Sequence, residues 1–309
     1  MKRNKTGMLK KKRKDKIFYT LFATPAILAF LIVIAVPFCL GVYYSFTNWT
    51  GITQSTLDFV GFKNYIDSVT NTRFQYSIMI TIVFGLLNFV VVNVISFSLA
   101  LLVSSKVKGR NLYRTGFFVP NLIGGIVLGY IWQFIFNNVF ISFGEMANIS
   151  FLANKFFLSD PKLAIIALVM TSSWQYAGYI MMIYYTALQN VPTELIEASK
   201  LDGASAWQRL KKITIPMIMP AFTITLFLTL TNSFKQYDVI LSLTGGGPST
   251  MFMGQAIKAT EVISMNIFNT ASVENMMAQG QAKAVLFFIA LVVISLIQTS
   301  ITRKKEVES

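Results

Sequence analysis

Apolar residues in this chain fall in long blocks, not in alternation or in narrow helical stripes. Six stretches, 17–57, 74–105, 115–144, 163–193, 213–234 and 284–302, hold no Asp, Glu, Lys or Arg. Each contains an apolar core near or above the ~20 residues with which a helix crosses about 30 Å of hydrocarbon. A charged side chain at mid-span costs about 2.5–3.5 kcal/mol on the insertion scale, so windows of this length reflect a constraint. The pattern predicts an all-α polytopic membrane protein with six transmembrane helices. Proline and glycine interrupt several of them: a bend is expected at Pro37, a break at Gly124 and Gly125, and a bend before Pro216 and Pro220, because Pro216 biases Ile215 away from helix. Membrane bundles tolerate such breaks where neighbours re-satisfy the backbone, and small residues also serve ordinary helix packing.

The first window has a second reading as a secretory signal, since Lys10–Lys16 supplies a basic leader. The apolar run from Ile17 to Tyr44 is longer than the usual 7–15-residue signal core, and no A-x-A site closes it. The expected organisation is therefore a basic tail at 1–16, a retained first helix at 17–45, and a transmembrane core at 74–302 with a cytoplasmic loop at 190–215. The outer loops are 45–73, 138–161 and 242–280. In the last of these, 254–267 is expected to form a short interfacial helix.

Composition sharpens this picture. The chain is 54% hydrophobic and only 13% charged, yet its net charge is +14. Such a basic balance ordinarily suggests nucleic acid or an anionic surface. Position resolves the conflict. Six spans put both termini on one side, together with the loops 106–114 and 190–215. That side carries twenty basic and six acidic residues, and the other side's seven basic and seven acidic residues cancel. The positive-inside rule makes the basic side cytoplasmic. The charge thus orients the protein and argues for contact with anionic lipid headgroups, not nucleic acid.

The chain has no histidine and one cysteine, Cys39. Metal sites, disulfide frameworks and histidine-based acid–base or triad chemistry are excluded as expectations, so no catalytic and no metal-ligating residue is assigned. Cys39 follows Val36, Pro37 and the bulky Phe38, which does not suit a lipoprotein attachment signal, and reads as a structural thiol facing lipid.

The loop between the fourth and fifth windows carries the most specific pattern. Pro192 suits a first helical turn, and Glu194 and Glu197 lie where the helix dipole favours acids. Val191, Leu195, Ala198 and Leu201 recur at helical spacing. Gly203 can take the left-handed conformation that ends a helix, and Ser205 with Gln208 fits a capping box opening a second one. A rigid amphipathic hairpin on a cytoplasmic face suits docking into a groove of a soluble partner.

Glu197-Ala198-Ser199, then Gly203, then Ile213-x-Ile215-Pro216 resembles the EAA loop of ABC importer permeases, with both gaps unbroken. Ser199 stands for the second alanine of the pattern and Ile215 for its leucine. Leu201–Gln208 is similar to the version in sugar-importing permeases of the maltose, lactose, multiple-sugar and glycerol-phosphate type. So are Leu243–Pro248, Gly280–Ala284, and Pro37 with Tyr44-Ser45-Phe46, and the likeness runs from about residue 20 to 303. The resemblance implies a type I ABC importer permease in a bacterial inner or plasma membrane. It implies a second permease paired with this one as a hetero-dimer, a dimer of cytoplasmic ABC ATPases and an extracellular solute-binding protein. Carried over by position, Glu197, Ala198 and Gly203 form the ATPase-coupling surface, with Ser199, Lys200 and Asp202 beside them. ATP and Mg would be bound by the ATPase, leaving no cofactor in this chain.

Gly245-Gly246-Gly247-Pro248-Ser249-Thr250 is glycine-rich but lacks the Gly-Lys-Ser/Thr ending of a phosphate loop, and reads as an outer turn that either touches the binding protein or only turns. Candidates for a sugar path are the aromatic and amide residues within the spans: Trp132, Gln133, Trp174, Gln175, Tyr176, Tyr179, Asn232 and Gln236. The same residue types also belt membrane interfaces and bond between helices. Lys235 and Asp238, three apart, are expected to pair on one helix face. Two alternatives remain at this point: an ABC permease for another solute, and an ion-coupled secondary transporter. The latter would want ionisable groups inside the spans, where the six windows have none.

Overall fold

The structure, a computed structural model, describes residues 18–51, 56–105, 107–153 and 156–304. The expected basic tail at 1–16 lies outside the described residues. The helices that follow from the sequence are α1 (Phe18–Tyr44), α2 (Lys63–Thr70), α3 (Thr72–Ser104), α4 (Arg110–Phe118), α5 (Gly125–Met146) and α6 (Pro161–Gln189). Then come α7 (Thr193–Leu201), α8 (Ala206–Met217), α9 (Met219–Lys235) and α10 (Asp238–Thr244). A two-stranded antiparallel hairpin, β1 (Ser249–Phe252) and β2 (Gln255–Lys258), precedes α11 (Ile263–Phe268) and α12 (Met277–Arg303). Among the described residues α1, α3, α5, α6 and α12 are long and apolar enough to cross a bilayer, and the bent pair α8–α9 supplies a sixth span.

Local chemistry starts the long helices. The Asn71 side chain accepts from the Phe74 N–H at 3.0 Å, and the Asp160 carboxylate accepts from Lys162 and Leu163 at 2.9 and 3.0 Å, with Pro161 at the first helical position. Large apolar residues such as Phe22, Ile32 and Leu296 are exposed, as lipid-facing surface requires.

The breaks at Gly124–Gly125 and before Pro220 fall where expected, while the relief at Pro37 and Pro216 takes another form. α1 runs unbroken through Pro37 and contains a π turn over Leu31–Ala35, one turn before the proline. The wider turn moves the carbonyl that the pyrrolidine ring would otherwise strike. The third charge-free window is divided, with α4 ending at Phe118, a 3₁₀ turn over Val119–Leu122, and the span itself starting at Gly125. Ile215 stays helical in front of Pro216 because a π turn over Leu210–Thr214 accommodates the ring. The 74° bend falls instead between Met217 and Met219, where Ile218 leaves the helical region just before Pro220.

The chain forms two compact units. The first comprises residues up to Asp67 together with Thr270–Val285. In it the Ala278 N–H donates to the Trp49 carbonyl at 2.9 Å, Asn64 donates to the carbonyls of Ser45 and Thr47 at 2.8 Å, and buried Lys283 donates to the Thr270 hydroxyl at 2.7 Å. Cys39 is exposed on α1. The second unit comprises Ser68–Asn269 and the residues from Leu286 on, and its core is α3 against α6, with α9, α5 and α10 added. Gly178 explains one close approach: a Cβ there would lie 1.8 Å from the Phe117 carbonyl oxygen, so α6 admits the end of α4 only because it lacks one.

The segment 254–267 is not an interfacial helix. Met253 and Gly254 take positive φ and turn the chain into β2, and a helix begins only at Ile263. This end of the second unit is fastened by an ion pair. Arg73 grips buried Glu261 with two bonds of 2.7 and 2.6 Å, and Asn269 donates to the same carboxylate at 2.7 Å. The Tyr76 hydroxyl donates to the Ala259 carbonyl, and the Thr81 hydroxyl accepts from the Ile263 N–H. Lys235 and Asp238 do not share a face, since the helix stops at Lys235 and Gln236 is extended between them.

Candidate functional site

The hairpin α7–α8 closes its own hydrogen bonds. Gly203 has φ +76°, its N–H donates to the Lys200 carbonyl at 3.1 Å, and the Ala204 N–H donates to the Ser199 carbonyl at 2.9 Å. This pair of bonds is the Schellman ending, which consumes the carbonyls a helix leaves open. Two residues on, the Ser205 hydroxyl accepts from the Gln208 N–H at 3.3 Å and the Gln208 side chain accepts from the Ser205 N–H at 2.7 Å, completing the capping box. Arg209 also donates to the Ala204 carbonyl. Five hydrogen bonds between Ser199 and Arg209 thus fix the turn.

What the hairpin shows to solvent is mixed. Glu197, Ala198, Lys200, Asp202 and Gly203 are exposed, as are Leu195, Leu201 at 89% and Trp207 at 68%. Ser199 is different: it is buried and its hydroxyl donates to the Ile196 carbonyl at 2.8 Å, so it faces away from the other five. A Cβ placed on Gly203 would meet nothing within 4 Å. The tight spot at Gly203 is one of backbone conformation alone.

The eight residues proposed for a path through the membrane separate into two places. Trp132 and Trp174 meet edge to face at 5.6 Å and line a cavity of about 620 Å³ whose other walls include Leu87, Val91, Met170 and Ala177. That cavity is apolar and offers few partners for hydroxyl groups. Gln133 and Gln175 serve the breaks in the helices, donating to the Leu243 carbonyl at 3.2 Å and the Ile123 carbonyl at 2.9 Å. Gln175 thereby repairs the gap between α4 and α5.

Tyr176 and Tyr179 lie 5.5 Å apart on α6, and Asn232 is half-buried on α9. Gln236 donates to the Ser172 hydroxyl at 3.4 Å. Beside them runs a polar seam that the sequence reading missed. Asn88 donates to Ser233 at 2.8 Å, Asn93 donates to Thr229 at 2.7 Å, and the Tyr184 hydroxyl donates to Asn93 at 3.0 Å. The Asn88 amide oxygen is buried without a partner. The available signal was the recurrence of Thr225, Thr229 and Ser233 every fourth residue, which draws a polar stripe along an otherwise apolar helix.

The glycine run after α10 is not a phosphate cradle. The Gly245 N–H donates to the Ile240 and Leu241 carbonyls, that of Gly246 to the Thr244 hydroxyl, and that of Gly247 to the Thr244 carbonyl. All three amides are consumed within the turn.

A family model described as the binding-protein-dependent transport system inner membrane component matches residues 92–306. The chain belongs to that family. This permease is 45% identical over 295 residues, 96% of this chain and 97% of the other, to a probable starch degradation products transport system permease protein of Thermoanaerobacterium thermosulfurigenes. It is 30% identical over 271 residues, 88% of this chain and 90% of the other, to a multiple sugar-binding transport system permease protein of Streptococcus mutans. Its fold matches a chain in the crystal structure of a bacterial ABC transporter involved in the import of the acidic polysaccharide alginate, with a TM-score of 0.77, 20% identity, and coverage of 96% of the permease and 98% of that chain. The permease is thus an all-α membrane subunit of an ABC importer, as the EAA-like loop and the six windows imply. The family match takes in the whole α7–α8 hairpin.

Proposed function

We propose that this permease forms one half of the passage for a sugar, an oligosaccharide or related carbohydrate, in a bacterial cell membrane. The other half is a second permease, and the power comes from a dimer of cytoplasmic ATPases that binds ATP and Mg and docks on α7–α8. An extracellular binding protein delivers the sugar. Both termini and the hairpin lie on the cytoplasmic side, where the net positive charge falls. The observation that carries this reading is the hairpin itself: a turn fixed by its own caps that leaves Leu201, Trp207, Glu197 and Ala198 uncovered.

A linker between two spans needs neither caps nor an exposed apolar face. A rigid lever does, because movement of a docked partner reaches α6 and α9 only if the turn does not yield. Two alternating states of the spans would then follow ATP binding and hydrolysis in the partner. The sugar class rests on the relatives, one named for starch degradation products and one for multiple sugars. Along the path, Tyr176 and Tyr179 offer aromatic faces to sugar C–H surfaces, while Asn232 and Gln236 offer amides to hydroxyls.

The test is uptake of labelled malto-oligosaccharide into vesicles holding the complete importer. Uptake is expected to require the ATPase, internal ATP and the binding protein. Uptake that persists in vesicles lacking the ATPase would overturn the coupled reading in favour of ion-driven transport.

A further inference from the structure

At the start of the third charge-free window, α4 packs on α6 and encloses a pocket of about 400 Å³ lined by Asn111, Arg114, Thr115, Phe118 and Met182. Its chemistry is graded. Asn111 and Thr115 are polar, Phe118 and Met182 are apolar, and a half-buried guanidinium lies between them. Arg114 stacks over the Tyr185 ring at 4.5 Å and touches the Tyr185 hydroxyl at 3.5 Å. Its Nε is buried with no hydrogen-bond partner, and no acidic side chain among the described residues pairs with it. Lys108 and Arg110 add two more exposed cations within the same short segment.

A guanidinium partly withdrawn from water without an anion is an incomplete arrangement, since burying a charge is costly unless it is paired. Stacking on Tyr185 holds the guanidinium plane, and a planar guanidinium is the group that suits two oxygens of one phosphate. We propose that this pocket binds an anionic phospholipid of the cytoplasmic leaflet, with Arg114 on the phosphate, Asn111 and Thr115 beside the headgroup, and the first part of an acyl chain along Phe118 and Met182. A lipid is favoured over free phosphate because two of the five lining residues, Phe118 and Met182, are apolar. A lipid also belongs at this depth, where the last cation of the segment meets the first charge-free residue. The proposal rests on the topology proposed above, and not on which solute is carried.

The test is native mass spectrometry of the complete importer titrated with phosphatidylglycerol or phosphatidylcholine. The intact complex is expected to retain one tightly held phosphatidylglycerol per copy of this permease in preference to phosphatidylcholine. Arg114→Gln should weaken that retention by about tenfold, and Arg114→Lys, which keeps the charge but loses the fork, by about threefold. If Arg114→Gln does not assemble, Asn111→Leu and Arg114→Lys give the same comparison. Equal retention of both lipids, or unchanged retention in the Gln variant, would overturn the proposal. So would displacement by millimolar inorganic phosphate, or a map of the whole importer with a partner's carboxylate on Arg114. Sugar uptake measured on the same preparations separates a failure here from a failure of the transport reading.

Discussion

The permease handles two of its loop systems in opposite ways. The segment from Thr244 to Asn269 is tied to the spans by side chains distant in sequence, with Arg73 clasping Glu261 and Tyr76 and Thr81 bonding the backbone beside it. The hairpin α7–α8 is held by bonds within a few residues: a Schellman ending, a capping box and the Arg209 contact. The first loop is anchored to its own chain. The second is made rigid in itself and keeps Leu201 and Trp207 uncovered. A segment that must hold a fixed surface relative to the spans is best fastened by long-range contacts. A segment that must pass on a partner's movement needs internal stiffness and a free face.

Breaking the anchored side should have the largest effect. Losing one member of the pair costs up to about 3–5 kcal/mol where the charge left behind is buried, and less for Glu261→Ala, which leaves Arg73 partly in water. Arg73 itself is one-third exposed and water can reach it when Glu261 is lost, whereas Arg73→Ala strands a carboxylate that is 1% exposed, so Arg73→Ala should cost more than Glu261→Ala. Thermal unfolding in detergent is the measurement. Glu261→Ala is expected to lower the melting temperature clearly, and limited proteolysis should cut near the β1–β2 hairpin. The double variant should be less damaged than the sum of the singles. A melting temperature unchanged by Glu261→Ala would show that the loop is held by its backbone bonds alone.

The self-capped side should respond at a second level. At φ +76° a β-branched residue is strained by about 1–2 kcal/mol, while asparagine tolerates the conformation better. Since a Cβ at Gly203 meets nothing in this chain, Gly203→Val should insert and assemble its spans normally. The turn angle, however, would shift, and with it the surface offered to the ATPase. The expected outcome is transport lost with ATP hydrolysis retained but uncoupled, and a smaller loss for Gly203→Asn. Both activities are read in the same vesicles, and normal transport by Gly203→Val removes the hairpin from the coupling role.

These two regions also differ in how far the sequence disclosed them. The hairpin was legible almost residue by residue, because a helix stop at Gly203 and a capping box at Ser205 and Gln208 are local signals. Pro192 caps α7 from just outside it, a π turn lies within α8, and the burial of Ser199 escaped because which side of a short helix packs inward depends on its neighbours. The spans were legible from missing charge, and so was the break at Gly124–Gly125, but the form of relief at two prolines was not. Proline fixes where a helix is stressed, while the relief at Leu31–Ala35 and Leu210–Thr214 spreads into a π turn one turn earlier. The Arg73–Glu261 clasp was invisible, because partners 188 residues apart leave no periodic trace. The polar seam was half legible: Thr225, Thr229 and Ser233 recur every fourth residue, but Asn88 and Asn93 on the facing helix each read as an isolated polar interruption.

The smallest expected effect on stability, at Leu201, bears most directly on the comparison. Its side chain is 89% exposed and lies on the last helical turn before the Schellman ending. Alanine has the higher helix propensity, and the Leu201 side chain takes no part in the capping bonds, so the exposed substitution changes stability by no more than about 0.5 kcal/mol. Leu201→Ala should therefore melt like the parent protein. If the uncovered face exists for a partner, the same substitution removes apolar area from the centre of that contact, and co-purification of the ATPase should fall even though the permease is intact. Trp207→Ala tests the other helix of the hairpin in the same way, and aromatic anchors commonly dominate such contacts. Equal ATPase recovery from both variants and the parent would mean that the hairpin's apolar face is not what the motor grips. The polar residues Glu197, Lys200 and Asp202 would then be the ones to substitute next. A fall in recovery at unchanged melting temperature would separate partner binding from folding at single side chains, which the anchored loop does not permit.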